Sequence, residues 1–248
     1  AHSSSLHSSD MVPARVEGAA ADEKSWYRPS TDKSPRMQTQ TTSYGFHYVA
    51  IRKPIRNART HDYLRITEFI APYYSLIPPN NNYNVSTVIV PISDEESYFH
   101  FIAWGGQACP STIAWRKFAH AQPGIDLDDK WRSRRTLEND FLQDRQMMKL
   151  GNFTGVLGIP NQDIVMWVSM GPRVDRSSDL LGASDLAIVE FRRLMSDAAR
   201  RVAEGGEAIG TEEPRVAHAT ISSKEGVYPK DVDWRTLGQE TDQVSAAE

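Results

Sequence analysis

The stretch from Tyr44 to Trp104 constrains the fold most. It holds four runs of aromatic and β-branched residues, at 44–52, 62–70, 83–92 and 97–104, each alternating at period two or nearly so. Residues of this kind fit a pleated surface with one buried face, so each run reads as a strand. The links are short and made of turn formers: Pro78-Pro79-Asn80-Asn81-Asn82 between the second and third runs, Ser93-Asp94-Glu95-Glu96 between the third and fourth. Such links force antiparallel neighbours. A meander of about four strands must then bury one face against a second layer.

That layer is expected late in the chain. After Gly182, Ser184 is placed to cap a helix and Asp185 to complement its positive end. Ile188, Phe191, Met195, Ala198 and Val202 then recur at three- and four-residue steps until Gly205-Gly206. A second helix is expected over 133–149, with Leu137, Phe141 and Met148 on one face and Gly151-Asn152 as its stop. Residues 1–40 lack periodicity and read as an irregular segment over the core, and the glycine-punctuated segment from Gly151 to Pro172 separates the two helices. Beyond 206 the chain is acidic and polar, with isolated Val216, Tyr228 and Trp234, and reads as a tail docked on the surface. The expectation is an α+β domain over 1–205, an antiparallel sheet curled around a long C-terminal helix, followed by a tail over 206–248.

Charge and cysteine usage narrow the chemistry. The 28 Lys and Arg against 32 Asp and Glu leave a net charge of −4. No basic excess is available to neutralise a phosphate backbone, which argues against nucleic acid as a partner. The single cysteine, Cys109, excludes an intrachain disulfide and any Cys-rich metal site, and fits a reducing, cytoplasmic compartment. No run approaches the ~18–20 apolar residues that span a bilayer. Metal chemistry in this chain must use His and carboxylates.

Among the histidines, His2 and His7 are five apart in a segment of small residues. On an ideal helix that spacing turns the two imidazoles about 140° from each other, so one metal would need a distorted or ending helix between them. Read alone, the pair also fits an N-terminal tail or tag remnant, and Asp163 alone fits a turn after Pro160-Asn161. His47 and His100, on strands, read as half-buried structural histidines. Arg65, Arg36 and Arg52 are candidates to hold a carboxylate, because a planar guanidinium pairs with one bidentately. Arg65 ranks first, since it sits within a strand. Glycines 151, 155 and 158 do not form a dinucleotide loop, and no G-x-S-x-G elbow suggests a hydrolase.

Residues 153–202 carry a set of spaced elements: Gly158-Ile159-Pro160, Gln162-Asp163, Ser169-Met170-Gly171-Pro172 with Asp175-Arg176, Leu181-Gly182 with Ser184-Asp185, and Arg192-Arg193-Leu194. In this order they resemble the C-terminal part of the Rieske non-haem iron aromatic-ring oxygenases, in the phthalate 4,5-dioxygenase-like branch of terminal oxygenase subunits. The start of the chain, with His2 and then Leu6-His7-Ser8-Ser9, matches the end of that family's Asp-x-x-His-x4-His segment. The resemblance implies a helix-grip (START/Bet v1-like) catalytic domain and a mononuclear Fe(II) held by His2, His7 and Asp163. Two imidazoles and one carboxylate on one face of the ion leave positions open for dioxygen.

The resemblance also implies a [2Fe–2S] Rieske cluster, which needs two Cys and two His. With only Cys109 this chain cannot build one, so it reads as the catalytic domain alone, the cluster belonging to a missing N-terminal domain. Implied partners are a flavin/iron–sulfur reductase as electron donor, O2, a small aromatic acid substrate, and further copies of the chain in a homotrimer or its multiple. Trp167-Val168 stands where many relatives carry a polar pair, so the pocket is expected to differ. The implied activity is ring hydroxylation of a phthalate-like carboxylate. An O-demethylase or other monooxygenase of the same architecture is the alternative within enzymes, and a metal-free helix-grip ligand-binding module the alternative outside them.

Overall fold

A computed structural model of the chain describes His7 and residues 28–78, 81–212 and 214–237. Its centre is a seven-stranded antiparallel sheet. In chain order come β1 (Arg36–Thr42), β2 (Gly45–Arg52), β3 (His61–Ile70), β4 (Tyr74–Ile77), β5 (Asn84–Pro91) and β6 (Ser97–Trp104), which are also spatial neighbours in that order. The helices α1 (Thr112–Ala119), α2 (Arg145–Lys149), α3 (Ile159–Ser169) and α4 (Leu186–Ala203) follow, and β7 (Lys224–Pro229) returns to pair with β3. β4 pairs residues 68–70 of β3 and β7 pairs residues 61–66, so the two share one flank of that strand.

The four expected strands are present as β2, β3, β5 and β6, and α4 occupies the expected late helix. Several expectations need correction. The meander is longer than four strands, because β1 begins inside the segment read as irregular, most of which lies outside the described residues, and β4 fills the link between the second and third runs. Residues 133–149 do not form one helix: a 3-10 turn at Leu137–Leu142 is followed by the short α2, and Asp140, Phe141 and Leu142 adopt φ of 50°, 55° and 51°, which no right-handed helix continues. Ser184 does not cap α4; a 3-10 turn precedes the helix, and the Asp185 carboxylate accepts the Gly182 N–H at 2.9 Å. The segment between the two expected helices contains α3. Residues 224–229, within the stretch expected as a tail, form a sheet strand, and Trp234 is buried against Val49, Ile51, Leu64 and Ile66.

Strand register sorts the side chains onto two faces. Phe46, Phe69, Ser75, Thr87 and Phe101 are successive cross-strand partners, and therefore form one row across β2 to β6 on a single face. All the long helical cover lies on that face. α4 packs on Phe46 and Phe69, with Phe191 edge-on to Phe69 at 5.1 Å. α1 packs on the other end of the row, with Trp115 4.7 Å from Phe101, and Trp167 of α3 reaches Phe99 at 5.6 Å. A sheet gripping helices at both ends of one face is the α+β helix-grip arrangement. The opposite face carries an open cavity of about 990 Å³, lined by Tyr74, Leu76, Val88, Ile102 and Trp104 and by residues 208–211 and 218–224. Among the described residues no helix is long and apolar enough to cross a membrane.

Candidate metal centre

α3 starts where the chain crosses close beneath the end of α1. Gly158, at φ 88°, makes this crossing: a Cβ there would lie 2.7 Å from the Ala119 carbonyl oxygen and 2.9 Å from the His120 Cβ. The Asn161 side-chain amide then donates to the carbonyls of His120 at 3.1 Å and Leu157 at 3.0 Å, tying the first turn of α3 to α1. Gln162, the next residue, is fully buried, and its Nε2 donates to the Val156 carbonyl at 2.9 Å. That bond fixes which end of the amide faces inward, and the Oε1 lies 2.6 Å from Nδ1 of the buried His7.

An amide oxygen can only accept, so Nδ1 of His7 carries the proton. In the neutral ring this leaves the lone pair on Nε2, the nitrogen that faces Asp163 Oδ1 at 3.4 Å. A hydrogen-bond acceptor on one ring nitrogen with a carboxylate beside the other is the pattern that prepares a histidine to bind a metal. Two donor atoms each about 2.1 Å from one ion, at roughly a right angle, stand about 3 Å apart. The pair therefore fits neighbouring positions on one cation. Among the described residues no group of three His, Cys, Asp or Glu side chains gathers, and His2 lies outside them. Asp163 sits within α3 rather than in a turn.

A second polar group occupies the helix-bearing face of the sheet. Arg65 lies four residues before Phe69 on β3, and Arg52 pairs with Tyr63, so Arg52, Tyr63 and Arg65 share the face of the phenylalanine row. β7 brings Glu225 opposite Arg65. The Tyr63 hydroxyl donates to Glu225 Oε2 at 2.8 Å, Arg65 Nε stands 3.3 Å from the same oxygen, and Arg65 Nη2 donates to the Pro78 carbonyl at 2.5 Å. Arg28, from the segment before β1, completes the cluster. Burial first, and then the charge of Arg65, lowers its guanidinium to about 9. Burial likewise lowers Arg52, whose buried Nε has no hydrogen-bond partner among the described residues, and raises both the Glu225 carboxyl and the Tyr63 hydroxyl. Among the described residues, Arg28 and Arg65 act on Glu225, and Asp32 acts on Arg52.

The sequence-derived candidates thus divide. His7 and Asp163 come together, and so do Arg52 and Arg65. Arg36 does not join them: it pairs with Ile51 in the register, hence points to the other face from Arg52, and it donates to Asp62 at 3.1 Å. His47 is buried between Gln40 and Glu68, and His100 is exposed on the open face. Gln162, Arg28, Tyr63 and Glu225 were not signalled as site residues. Gln162 is adjacent to Asp163 in the sequence but is a neutral amide, and Arg28 sits in an aperiodic segment. The large cavity touches neither His7 and Asp163 nor the arginine cluster.

A family model described as "LigXa C-terminal domain like" matches residues 1–248. The chain is 58% identical over 236 residues to the phthalate 4,5-dioxygenase oxygenase subunit of Pseudomonas putida, covering 95% of this chain and 54% of that protein. It is 31% identical over 243 residues to the 3-chlorobenzoate-3,4-dioxygenase oxygenase subunit of Comamonas testosteroni, covering 89% of this chain and 55% of that protein. The chain spans about half the length of these curated relatives, both named as oxygenase subunits of dioxygenases. The chain belongs to the family of LigXa C-terminal-like domains.

Proposed function

We propose that this chain is the catalytic domain of an aromatic-ring-hydroxylating oxygenase, with a mononuclear Fe(II) held by His2, His7 and Asp163 and an aromatic dicarboxylate as substrate. The observation that carries the reading is the pair of contacts on His7: Nδ1 tied to Gln162 at 2.6 Å and Nε2 3.4 Å from Asp163. Bound there, Fe(II) supplies open positions at which dioxygen is activated. The residues of the chain do the rest. Gln162 holds the ring of His7 in the metal-binding tautomer, and Asp163 supplies the negative charge that the ion needs.

The arginine cluster supports the substrate class. Clustered guanidiniums suit a carboxylate-bearing ligand such as phthalate, because guanidinium forks grip carboxylates with defined orientation. The names of the relatives, one of them a phthalate dioxygenase, point the same way. Electrons would come from a reductase through a Rieske [2Fe–2S] centre on another part of the assembled enzyme, a homotrimer or its multiple, in the cytoplasm.

Metal analysis and ligand binding test the reading separately. The wild-type chain is expected to take up about one Fe(II), and the D163A and H7A variants to lose it. Arg65→Gln is expected to keep the iron and to weaken phthalate binding at least tenfold. A folded wild-type chain that takes up no Fe(II) sinks the metal assignment, and phthalate binding indifferent to Arg65 sinks the substrate assignment.

A further inference from the structure

We propose that the cavity on the sheet face opposite α4 is a second binding site, taking a monoanionic amphiphile: a body of two or more fused rings or a long alkyl chain, ending in one carboxylate that Lys224 holds. Iron and phthalate play no part in it, because the cavity touches neither His7 and Asp163 nor the arginines of β2 and β3.

Two walls from different parts of the chain enclose the space. One is the sheet: Leu76, Ser86 and Ile102 are successive cross-strand partners on β4, β5 and β6, so they form a row on the face away from Phe69 and Phe101. Tyr74 and Val88 pair beside that row. The other wall is the chain after α4, residues 208–211 and 218–224. It is fastened at several points. Thr211 Oγ1 donates to the Ala208 carbonyl at 2.8 Å, Arg201 of α4 pairs with Glu212, and a Cβ on Gly210, at φ 78°, would come 3.7 Å from the Tyr44 Cα. β7 carries the far end of this wall into the sheet by pairing with β3. Pinned to a helix and to a strand, the wall cannot collapse onto the row without breaking these contacts.

Size and charge select the ligand. Cavities of about 300–1,000 Å³ hold drug-sized ligands, and at about 990 Å³ this one lies at the large end, too roomy for a single ring to fill. Leu76, Val88 and Ile102 offer apolar surface, and Tyr74 and Trp104 offer flat rings, which suits an uncharged body. Among the described residues no carboxylate lines the cavity, whereas Lys224 and His218 do, and the other polar lining side chains are neutral amides and hydroxyls. Lys224 faces the cavity by register: it pairs with Ile66, and so takes the face opposite Glu225 and Arg65. Carboxylates at neighbouring strand positions are engaged elsewhere. Glu225, next in sequence, meets Tyr63 and Arg65 on the other face, and the buried Glu68 accepts the Tyr44 hydroxyl at 2.6 Å and stands 3.5 Å from His47. A cation on the wall of a largely apolar space complements an amphiphile whose one charge is negative.

The test uses the full 248-residue chain and two probes: anthracene-9-carboxylate, followed by its own fluorescence, and dodecanoate, followed by its displacement of the first. One equivalent of anthracene-9-carboxylate is expected to bind, with or without Fe(II), and the tighter of the two probes tells whether the preferred body is fused-ring or alkyl. Lys224→Glu and Ile102→Glu should each weaken binding about tenfold or more, one by reversing the charge and one by setting a charge on the apolar wall, while Lys224→Arg stays within about threefold of wild type. Ile102 is already 42% exposed, so its variant tests the cavity should Lys224→Glu disturb β7. Leu180→Glu, which alters a 97% exposed apolar side chain outside the cavity, should leave binding unchanged. A folded wild type that binds neither probe overturns the proposal, as does binding that all these variants share or that dodecyltrimethylammonium matches. A chain that takes up no Fe(II) yet binds the probe in this way overturns the metal reading alone.

Discussion

Gln162 and Asp163, consecutive on α3, flank the two nitrogens of one imidazole: Gln162 Oε1 lies 2.6 Å from Nδ1 of His7, and Asp163 Oδ1 lies 3.4 Å from its Nε2. Neighbouring residues on a helix leave its axis about 100° apart, which lets one accept the ring proton while the other stands beside the second nitrogen. A single turn of helix thus sets both the tautomer of His7 and the charge next to it. The histidine itself comes from a point 155 residues away along the chain.

The dependence on Gln162 can be measured. In Gln162→Leu the Nδ1–H of His7 loses its acceptor, and both the ring orientation and the basicity of Nε2 suffer. Losing such an outer partner typically costs 10–100-fold in metal affinity. Fe(II) titration of Gln162→Leu should show a loss in that range, together with about 1–3 kcal/mol of stability for the buried groups left unpaired. Affinity equal to wild type would mean that Gln162 does not set the tautomer.

Gly158 offers a test of how α3 is aimed. Its φ of 88° disfavours any L side chain, and a Cβ would press on the Ala119 carbonyl and the His120 Cβ. Gly158→Ala should cost about 2 kcal/mol or more in urea unfolding. It should also weaken Fe(II), because relief of the clash must move the first turn of α3 and with it Asp163. A stability loss with intact iron affinity would show that the helix can shift without disturbing the site.

Arg28 sets stability against binding. Burial lowers its guanidinium to about 9, so the charged form works against folding at neutral pH. The folded chain gives up this proton before the unfolded chain does, and stability from this group therefore rises as pH climbs from about 9 towards the ordinary arginine value. Arg28→Met removes the penalty. Above pH 9 its unfolding free energy should therefore depend less steeply on pH than that of the wild type, as urea unfolding across that range measures. The same variant should bind phthalate at least tenfold more weakly.

How much of this was readable from the chain depends on whether a residue announces itself locally. β2, β3, β5 and β6 did, because their aromatic and β-branched residues alternate, and α4 did through its repeat ending at Gly205-Gly206. β1 did not. Its residues, RMQTQTT, are polar apart from Met37, and it becomes a strand only by pairing along β2 as the edge of the sheet. α3 was hidden by the glycines and proline that punctuate its approach, although those residues are what bring it close to α1. His7 and Asp163 were legible through the resemblance to a family, since their spacing alone favoured blander readings. The grouping of Arg36 with Arg52 and Arg65 failed for a reason no single strand contains: the pairing register decides which face a side chain takes.

Trp234 shows the same limit at the other end of the chain and supplies a further test. Read from sequence, it is an isolated aromatic in a polar stretch beyond the expected domain. In the fold its indole is 5% exposed, packs on Val49, Ile51, Leu64 and Ile66, and lies 4.9 Å from the ring of His47. Its Nε1 donates to Gln38 Oε1 at 2.6 Å, which binds the edge strand β1 to the segment that follows β7. Because Trp234 and Glu225 reach the sheet through the same short segment, the closing turn serves both faces: Trp234 seals one, and Glu225 meets Arg65 on the other. Trp234→Ala should therefore cost about 3–5 kcal/mol, the range for emptying a buried aromatic site, in urea unfolding followed by fluorescence of the remaining tryptophans. It should also change phthalate binding without touching Fe(II) affinity, since β7 carries Glu225 but no proposed metal ligand. A variant as stable as wild type would mean that residues beyond 206 are dispensable to the sheet, and loss of iron at full stability would mean that the two sites are coupled through β3.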